Sequence, residues 1–422
     1  QEFIKAQFDY IRSYTKDIFT LFEEKVILAQ GELISTNMVT NYLQEQGVNA
    51  VLLPALEYMR TDKNSEPDPV YIKEKLAAQL EMHPGAEIYI TQGFICRNAY
   101  GEIDNLQRGG SDYTASLIGA AVNASEIQIW TDIDGMHDND PRIVDKTTPV
   151  RQLHFEEAAE LAYFGAKILH PTCVQPAKYA NIPVRLLNTM EPTAPGTLIS
   201  NDTEKGKIKA VAAKDNITAI KIKSGRMLLA YGFLRKVFEI FESYQTSIDM
   251  ICTSEVGVSV SIDNTKHLNE ILDDLKKYGT VTVDHDMCII CVVGDLEWEN
   301  VGFEAKALDA MRDIPVRMIS FGGSNYNISF LIRKEDKNKA LQSLSDHYSI
   351  INNFYRRGGL NPSECISTLK KQILSGEFNS PLLNNNKIQY ERNIPRKQVQ
   401  RVGDSLLLLR RQCAARNTVV HQ

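Results

Sequence analysis

Arg108-Gly109-Gly110-Ser111-Asp112-Tyr113-Thr114 sets a guanidinium, two glycines, a hydroxyl and a carboxylate ahead of an uncharged stretch, Ala115 to Ala124. The chemistry this suits is anion recognition. Glycines let backbone N–H groups approach a ligand, Ser111 suits a helix cap, and the positive end of the helix that follows faces the anion. Arg108 adds a planar fork fitted to a carboxylate or phosphate. An ordinary capped helix after a tight turn carries the same pattern, so the surrounding segments decide between the two.

Two further segments point to phosphoryl chemistry. Trp130-Thr131-Asp132-Ile133-Asp134-Gly135-Met136-His137-Asp138-Asn139-Asp140-Pro141-Arg142 follows an apolar strand pattern, where a loop holds a nucleotide with polar groups for base and ribose and Arg142 for phosphates. Asp132, Asp134, Asp138 and Asp140 superficially suggest a Ca²⁺ or Mg²⁺ loop, but the glutamate that closes a calcium loop at its twelfth position is missing. His137 reads either as a ligand or base or as a solvated loop residue. Phe164-Gly165-Ala166-Lys167-Ile168-Leu169-His170-Pro171 ends a helical pattern with a lysine that reaches phosphates as a point charge or answers the helix dipole. Glu32, in Gly31-Glu32-Leu33, reads by itself as a surface helix carboxylate.

The elements that must position these groups alternate. Gln1 to Gln46 has helical periodicity, Ala50-Val51-Leu52-Leu53 is a short apolar strand, Pro69 to Glu81 is a helix and Glu87 to Ile95 a buried strand. A strand over Glu126 to Thr131, a helix from Phe155 to about Leu169 and a strand over Ile182 to Leu187 complete an α/β series with ligands at the carboxyl ends of its strands. The second half carries an internal repeat: Gly232-Phe233-Leu234, a helix, Ser247 to Ile251 and Val256 to Ile262, then Gly302-Phe303-Glu304, a helix, Pro315 to Ile319 and Tyr326 to Ile332. Two copies of a small α+β module are expected.

Composition excludes several classes. The 422 residues are 43% apolar and 24% charged, ordinary for globular domains, and no run of eighteen apolar residues suggests a membrane span. With no basic-then-apolar leader pattern, a cytoplasmic setting is expected. Seven scattered cysteines fit a reducing compartment; Cys288 and Cys291 lie in an apolar strand pattern whose residues three apart face opposite ways, which disfavours a metal or redox pair. The net charge is −6, yet residues 349–422 hold 12 of the 47 basic residues and only 4 of the 53 acidic ones. That basic tail has no ordered interleaving of aromatic and basic residues, so nucleic acid is not an expected partner, and it shows no pattern continuing the repeat.

Read together, Gly31-Glu32, Ile90 to Phe94, Arg108 to Thr114, Trp130 to Arg142, Phe164 to Pro171 and Thr253 to Val256 resemble the aspartokinase family over residues 5–346. The resemblance implies an amino-acid-kinase domain, a mainly parallel sheet between helix layers over 1–205. It implies two ACT modules, over 206–285 with a strand shared with the second and over 286–348, leaving 349–422 as an unmatched tail. It implies ATP, Mg²⁺ and L-aspartate as reactants, homodimerisation through the ACT modules, and L-lysine or threonine as effector. Glu32 would hold the aspartate ammonium and Arg108 its α-carboxylate, with Gly110 and Ser111 lining the pocket. Asp112 would organise the lysine and metal at the transferring phosphate, and no side chain is assigned as a dedicated metal ligand. Thr131, Asp132 and His137 would contact the nucleotide, with Arg142 and Lys167 on its phosphates, although many relatives carry tyrosine at the place of His137. Met227, Phe233, Leu234, Ile248, Asp249, Ser254 and Glu255 would form the effector pocket. The family's opening Lys-Phe-Gly-Gly-Thr strand does not occur in this sequence, from which a fragment or aberrant product, an exposed sheet edge and impaired activity are expected. A glutamate kinase of the same fold and a non-catalytic amino-acid-binding protein are the rival readings.

Overall fold

The computed structural model describes residues 2–14, 19–106, 109–165, 171–202, 207–225, 231–297, 299, 302–356, 406–411 and 418–421. Residues 1–345 with 404–422 form one compact unit and 346–403 another, whose described part is the end of a single helix. Arg108, Lys167 and Met227 lie outside the described residues.

The helical periodicity at the start resolves into two helices, α1 (Glu2–Ser13) and α2 (Leu21–Glu45). The break has a local cause. Thr20 and Glu23 form a reciprocal capping box that satisfies N–H groups at the start of α2. After β1 (Ala50–Leu53), α3 (Pro69–Glu81) begins where Asp68 accepts the Tyr71 N–H at 3.1 Å and Pro69 supplies a preset backbone angle. The series continues with β2 (Ile88–Gln92), a short hairpin of β3 (Ile95–Arg97) and β4 (Ile103–Asn105), α4 (Gly110–Val122), β5 (Glu126–Thr131), β6 (Gln152–His154), α5 (Phe155–Phe164), α6 (Gln175–Tyr179), β7 (Val184–Asn188) and β8 (Thr197–Ser200). β1 with β2, β5 with β7 and β6 with β8 pair parallel, while β7 and β8 pair antiparallel. Leu53, Ile90, Ile127 and Leu186 of these strands are fully buried, and Leu76 of α3, Ile118 of α4 and Leu161 of α5 pack into one cluster with Leu53, Ile127 and Leu186.

A second sheet begins with β9 (Ile208–Lys223), followed by α7 (Phe233–Ser243), β10 (Met250–Ser254), β11 (Gly257–Ile262), α8 (Leu268–Lys276), β12 (Thr280–Gly294), α9 (Phe303–Ala310), β13 (Val316–Ser320), β14 (Asn327–Arg333) and α10 (Lys337–Arg356). Its strand order is β10-β11-β9-β12-β14-β13, antiparallel throughout. The register of β9 against β12 shifts between Asp284 and Met287, where Asp286 takes a φ of 54°, and again between Met287 and Ile289, where Asn216 on β9 takes a φ of 62°. These shifts divide the long ribbon: Thr218–Lys223 pairs with β11, whereas Ile208–Ala213 lies opposite Ile290–Gly294. Ile220, Val237, Phe241, Val260 and Leu275 form a core of their own, while Ile289, Cys291, Val293 and Leu331 share the cluster that holds Ala158 and Leu161 of α5.

The tail departs from expectation. β15 (Leu406–Arg411) pairs antiparallel with β2, and β16 (Thr418–His421) pairs antiparallel with β15 and parallel with β5. The order among the described strands is therefore β1-β2-β15-β16-β5-β7-β8-β6, with no exposed edge between β2 and β5. Two buried strands facing a gap carry backbone groups that require partners, and the uninterrupted Leu406–Leu409 run suits a strand covered on both faces. No helix among the described residues is long and apolar enough to cross a membrane.

Candidate active site

The carboxyl end of β2, the start of α4 and one face of α2 meet. Buried Gln92, the last residue of β2, donates to the Thr36 hydroxyl at 2.8 Å and accepts the Ala55 N–H at 2.8 Å. Thr36 in turn donates to the Glu32 carbonyl at 2.7 Å, so the turn of α2 that carries Glu32 is tied to the end of β2. Glu32 is half-buried, and its carboxylate pairs with no described residue. A half-buried acid without a cationic partner suits a ligand's ammonium.

Two residues beyond Gln92, Phe94 sits at a φ of 67°, a left-handed backbone that a bulky residue seldom adopts. Its N–H donates to the Thr114 hydroxyl at 3.0 Å, and that hydroxyl donates to the Gly110 carbonyl at 2.8 Å. The turn after β2 is thereby held against the first turn of α4. The cap of α4 differs from the sequence expectation. Gly109, at a φ of 75°, occupies the capping position without a side-chain hydrogen bond, and Ser111 lies one residue inside the helix. Buried Gly110, which opens the helix, packs against Phe94, and half-buried Ser111 and Asp112 follow it at the positive end of α4. The Cys173 thiol, on the 3₁₀ turn Pro171–Val174, donates to the Gly109 carbonyl at 3.0 Å. The segments that flank Arg108 and Lys167 in sequence are therefore neighbours in space.

The loop after β5 is organised by its own side chains. The Thr131 hydroxyl accepts the Ile133 N–H at 3.1 Å, and Asp132 is exposed. Asp134 pairs with Arg151 at 3.0 Å and accepts the Gly196 N–H; the hydrogen bond from Arg151 holds its carboxyl below the usual carboxylate range. Asp138 accepts from Thr148 at 2.6 and 2.9 Å, and His137 Nδ1 shares a hydrogen bond with Thr147 at 2.9 Å. Arg142 grips Asp140 with two side-chain bonds of 2.9 and 2.7 Å, which lower the carboxyl and raise the guanidinium. His137 and Arg142, assigned to nucleotide contacts by resemblance, thus rest on residues of their own loop and the segment that follows it. Beneath them the buried Thr197 hydroxyl accepts the Met136 N–H at 2.9 Å and donates to the Val150 carbonyl.

The residues assigned to an effector by resemblance are spread along the first repeat module, Ile248 and Asp249 just before β10 and Ser254 at its far end beside Gly257. Buried Phe233 opens α7, Leu234 beside it is exposed, and Ile248 packs against the module's own core. Ser254 ends β10 with its hydroxyl 3.4 Å from the Gly257 carbonyl, and Glu255 is exposed in the following turn. Asp249 has a fully buried side chain. Cys288 and Cys291 are both buried, and burial raises their thiols, that of Cys288 to about 12. Gln92, Thr36 and Thr197 were given no role in the sequence reading; a polar residue ending an otherwise apolar strand, as Gln92 does, was the available signal.

Residues 4–188 match the model of the amino acid kinase family, and residues 290–348 match an ACT domain. The chain is 35% identical over 330 residues to the lysine-sensitive aspartokinase 3 of Escherichia coli (strain K12), covering 75% of this chain and 74% of that one. It is 36% identical over 345 residues to the chloroplastic aspartokinase 1 of Arabidopsis thaliana, covering 77% of this chain and 60% of that relative. Among solved structures, E. coli aspartokinase III with aspartate and ADP superposes with a TM-score of 0.72 at 33% identity, over 82% of this chain and 81% of that one. The same enzyme with lysine and aspartate gives 0.68 at 34% identity over the same shares.

Proposed function

The chain belongs to the aspartokinase family, and from that membership we propose that it transfers the terminal phosphoryl group of ATP to the side-chain carboxylate of L-aspartate, giving 4-phospho-L-aspartate. The observation that carries the reading is the glycine-capped first turn of α4, held between the Phe94 turn and the Cys173 turn, beside the end of β2 to which the Glu32 turn of α2 is tied through Thr36 and Gln92. That arrangement supplies N–H donors for an anion and a carboxylate for an ammonium, the two ends of an amino acid. Glu32 takes the substrate ammonium, Arg108 its α-carboxylate, and Gly110 and Ser111 its flank. Thr131 and Asp132 border the nucleotide, and Lys167 and Arg142 compensate phosphate charge, Arg142 by exchanging Asp140 for a phosphate. Transfer between two anions depends on such positioning and charge compensation.

Asp112 is the residue that would help hold a Mg²⁺ brought with the nucleotide. Half-buried Asp112 in the first turn of α4 is a hard oxygen donor, which fits an ion that keeps most of its waters and binds through one or two carboxylates and substrate phosphates. When bound, it neutralises charge between the phosphates. The effector is L-lysine, taken up by Phe233, Leu234, Ile248, Asp249, Ser254 and Glu255 with Met227; a second copy of the chain pairs through the ACT modules. None of the five described cysteines is in a disulfide among the described residues, which agrees with a reducing setting.

Trapping the acyl phosphate as its hydroxamate, with MgATP and either aspartate or glutamate, tests the activity. Aspartate-specific product is expected; equal product from glutamate, or none from either, overturns it. A dose-response against lysine and threonine tests the regulation, which insensitivity to both overturns.

A further inference from the structure

The buried Asp249 side chain is joined to the kinase region by a cluster that reaches the surface at Tyr163 and Asp263. Lys214 Nζ on β9 lies 2.6 Å from Asp249 Oδ1 and 2.9 Å from Asp263 Oδ2, and 4.2 Å above the ring of Tyr163. The Tyr163 hydroxyl, from α5, donates to the same Asp249 Oδ1 at 2.6 Å. Asp249 Oδ2 is buried and makes no hydrogen bond among the described residues. One carboxylate oxygen therefore receives two donors, Lys214 from β9 and Tyr163 from α5, and the other is left unused.

We infer that Tyr163 and Lys214 form the contact through which an amine bound at Asp249 acts on α5, a step that rests on the effector reading above and specifies its route. An ammonium arriving at Oδ2 places a second cation on a carboxylate already shared with Lys214. Two cations on one buried carboxylate repel, and Lys214 has a second acceptor in Asp263 toward which it turns. Tyr163 then loses the arrangement that held its hydroxyl and ring together. The cluster has two alternative pairings of the same groups, the discrete switching that packed interiors favour over gradual deformation.

α5 is the element that feels this change. Its end is fixed against β9 at Gly165, whose φ of 137° and contact with the Ala213 carbonyl, 2.3 Å from where a Cβ would sit, admit no side chain. Ala213 immediately precedes Lys214, so the helix end and the lysine move with one strand. Upstream, Glu160 bonds Asn327 of β14 and His154 stacks on Tyr326, ring centres 5.1 Å apart. Tyr163 alone of these α5 contacts reaches Asp249.

Calorimetric titration of the full chain with L-lysine, alone and with saturating L-aspartate and MgADP, yields two dissociation constants whose ratio measures the coupling between sites. For the unaltered chain a ratio of about 5–150-fold is expected, the usual range for coupled sites. Tyr163→Phe, which keeps the ring and removes only the hydroxyl, is expected to bind lysine with the ratio reduced to about twofold or less. Glu160→Gln, which weakens the neighbouring contact to Asn327, is expected to keep the ratio. A full ratio in Tyr163→Phe, loss of lysine binding in that variant, or an equal fall in Glu160→Gln each overturns the relay. Lysine binding by the unaltered chain with no ratio overturns the relay and leaves the effector reading standing, whereas no binding of lysine or threonine overturns both.

Discussion

The loop after β5 and the cluster around Asp249 both concentrate charge, and they hold it in opposite ways. In the loop, Asp140 is paired by Arg142 two residues away, with the arginine side chain 79% exposed. Around Asp249, whose side chain is 0% exposed, Lys214, Asp263 and Tyr163 come from different elements, Tyr163 from 86 residues away. Water screens the first pair; it screens the contact between Asp249 and Lys214 far less, although Tyr163 and Asp263 around it are exposed. On the proposed reading, in which the loop admits phosphates and the joint transmits a change, the two call for these different arrangements.

The sharpest test of that contrast is Lys214→Met. It leaves the buried Asp249 carboxylate without its cation, and removing one partner of a buried pair costs about 3–5 kcal/mol. Chemical denaturation of the full chain is expected to show a loss of that order. A loss below about 1 kcal/mol, the range of exposed pairs, erases the distinction between the regions.

Next in size comes Thr197→Val, a substitution close in shape that removes a hydroxyl. The nucleotide loop is anchored less by its ion pairs than by this residue, which satisfies the Met136 N–H and the Val150 carbonyl beneath it. Leaving both unsatisfied is expected to cost about 1–3 kcal/mol and to raise the KM for ATP more than that for aspartate. Equal rises in both would place the anchor in the general fold and not in the loop.

Between the two regions lies the start of α5. His154 Nδ1 accepts the Glu156 N–H at 3.2 Å and so caps the helix in its neutral form; burial lowers its pKa from the ordinary 6.5. The folded state thus disfavours the proton. The unfolded chain binds it first as pH falls, so the cap's contribution is complete above 6.5 and is lost as pH drops toward the depressed folded value. The residue is partly solvated, so the expected loss is under about 1 kcal/mol. Thermal melts from about pH 7.5 to about pH 5.5 are expected to lose this acid limb in His154→Asn, which keeps an acceptor and cannot titrate there. An unchanged limb assigns the titration to another group.

What the sequence made legible follows the range of the interactions. α3 was legible because Asp68 and Pro69 mark its start locally, and β2 because its apolar run is continuous. The cap of α4 was misread, since Ser111 has the right chemistry but Gly109 takes the left-handed backbone that starts the helix. The strands Leu406–Arg411 and Thr418–His421 showed no local pattern, because what pairs them is the backbone of β2 and β5 some 300 residues earlier. The same holds at the candidate sites. Glu32, Ser111 and Asp112 were singled out through their segments, while Lys214 and Tyr163 stand in no motif and are joined to Asp249 only by folding.

Arg142→Ala is expected to have the smallest effect on stability and is the most discriminating for the loop. Its pair with Asp140 joins residues two apart on an exposed turn, and such pairs contribute about 0–1 kcal/mol at most. The arginine's two bonds to Asp140 hold that carboxyl below its usual range, so whatever they stabilise is present above the ordinary carboxylate pKa and disappears as acid protonates Asp140. At neutral pH, denaturation midpoints are expected to agree within error, while the KM for ATP rises and that for aspartate does not. If stability fell and the ATP requirement did not move, Arg142 would be a structural brace of the loop, and the contrast between a loop that opens for phosphate and a joint that stays closed would lose its catalytic half.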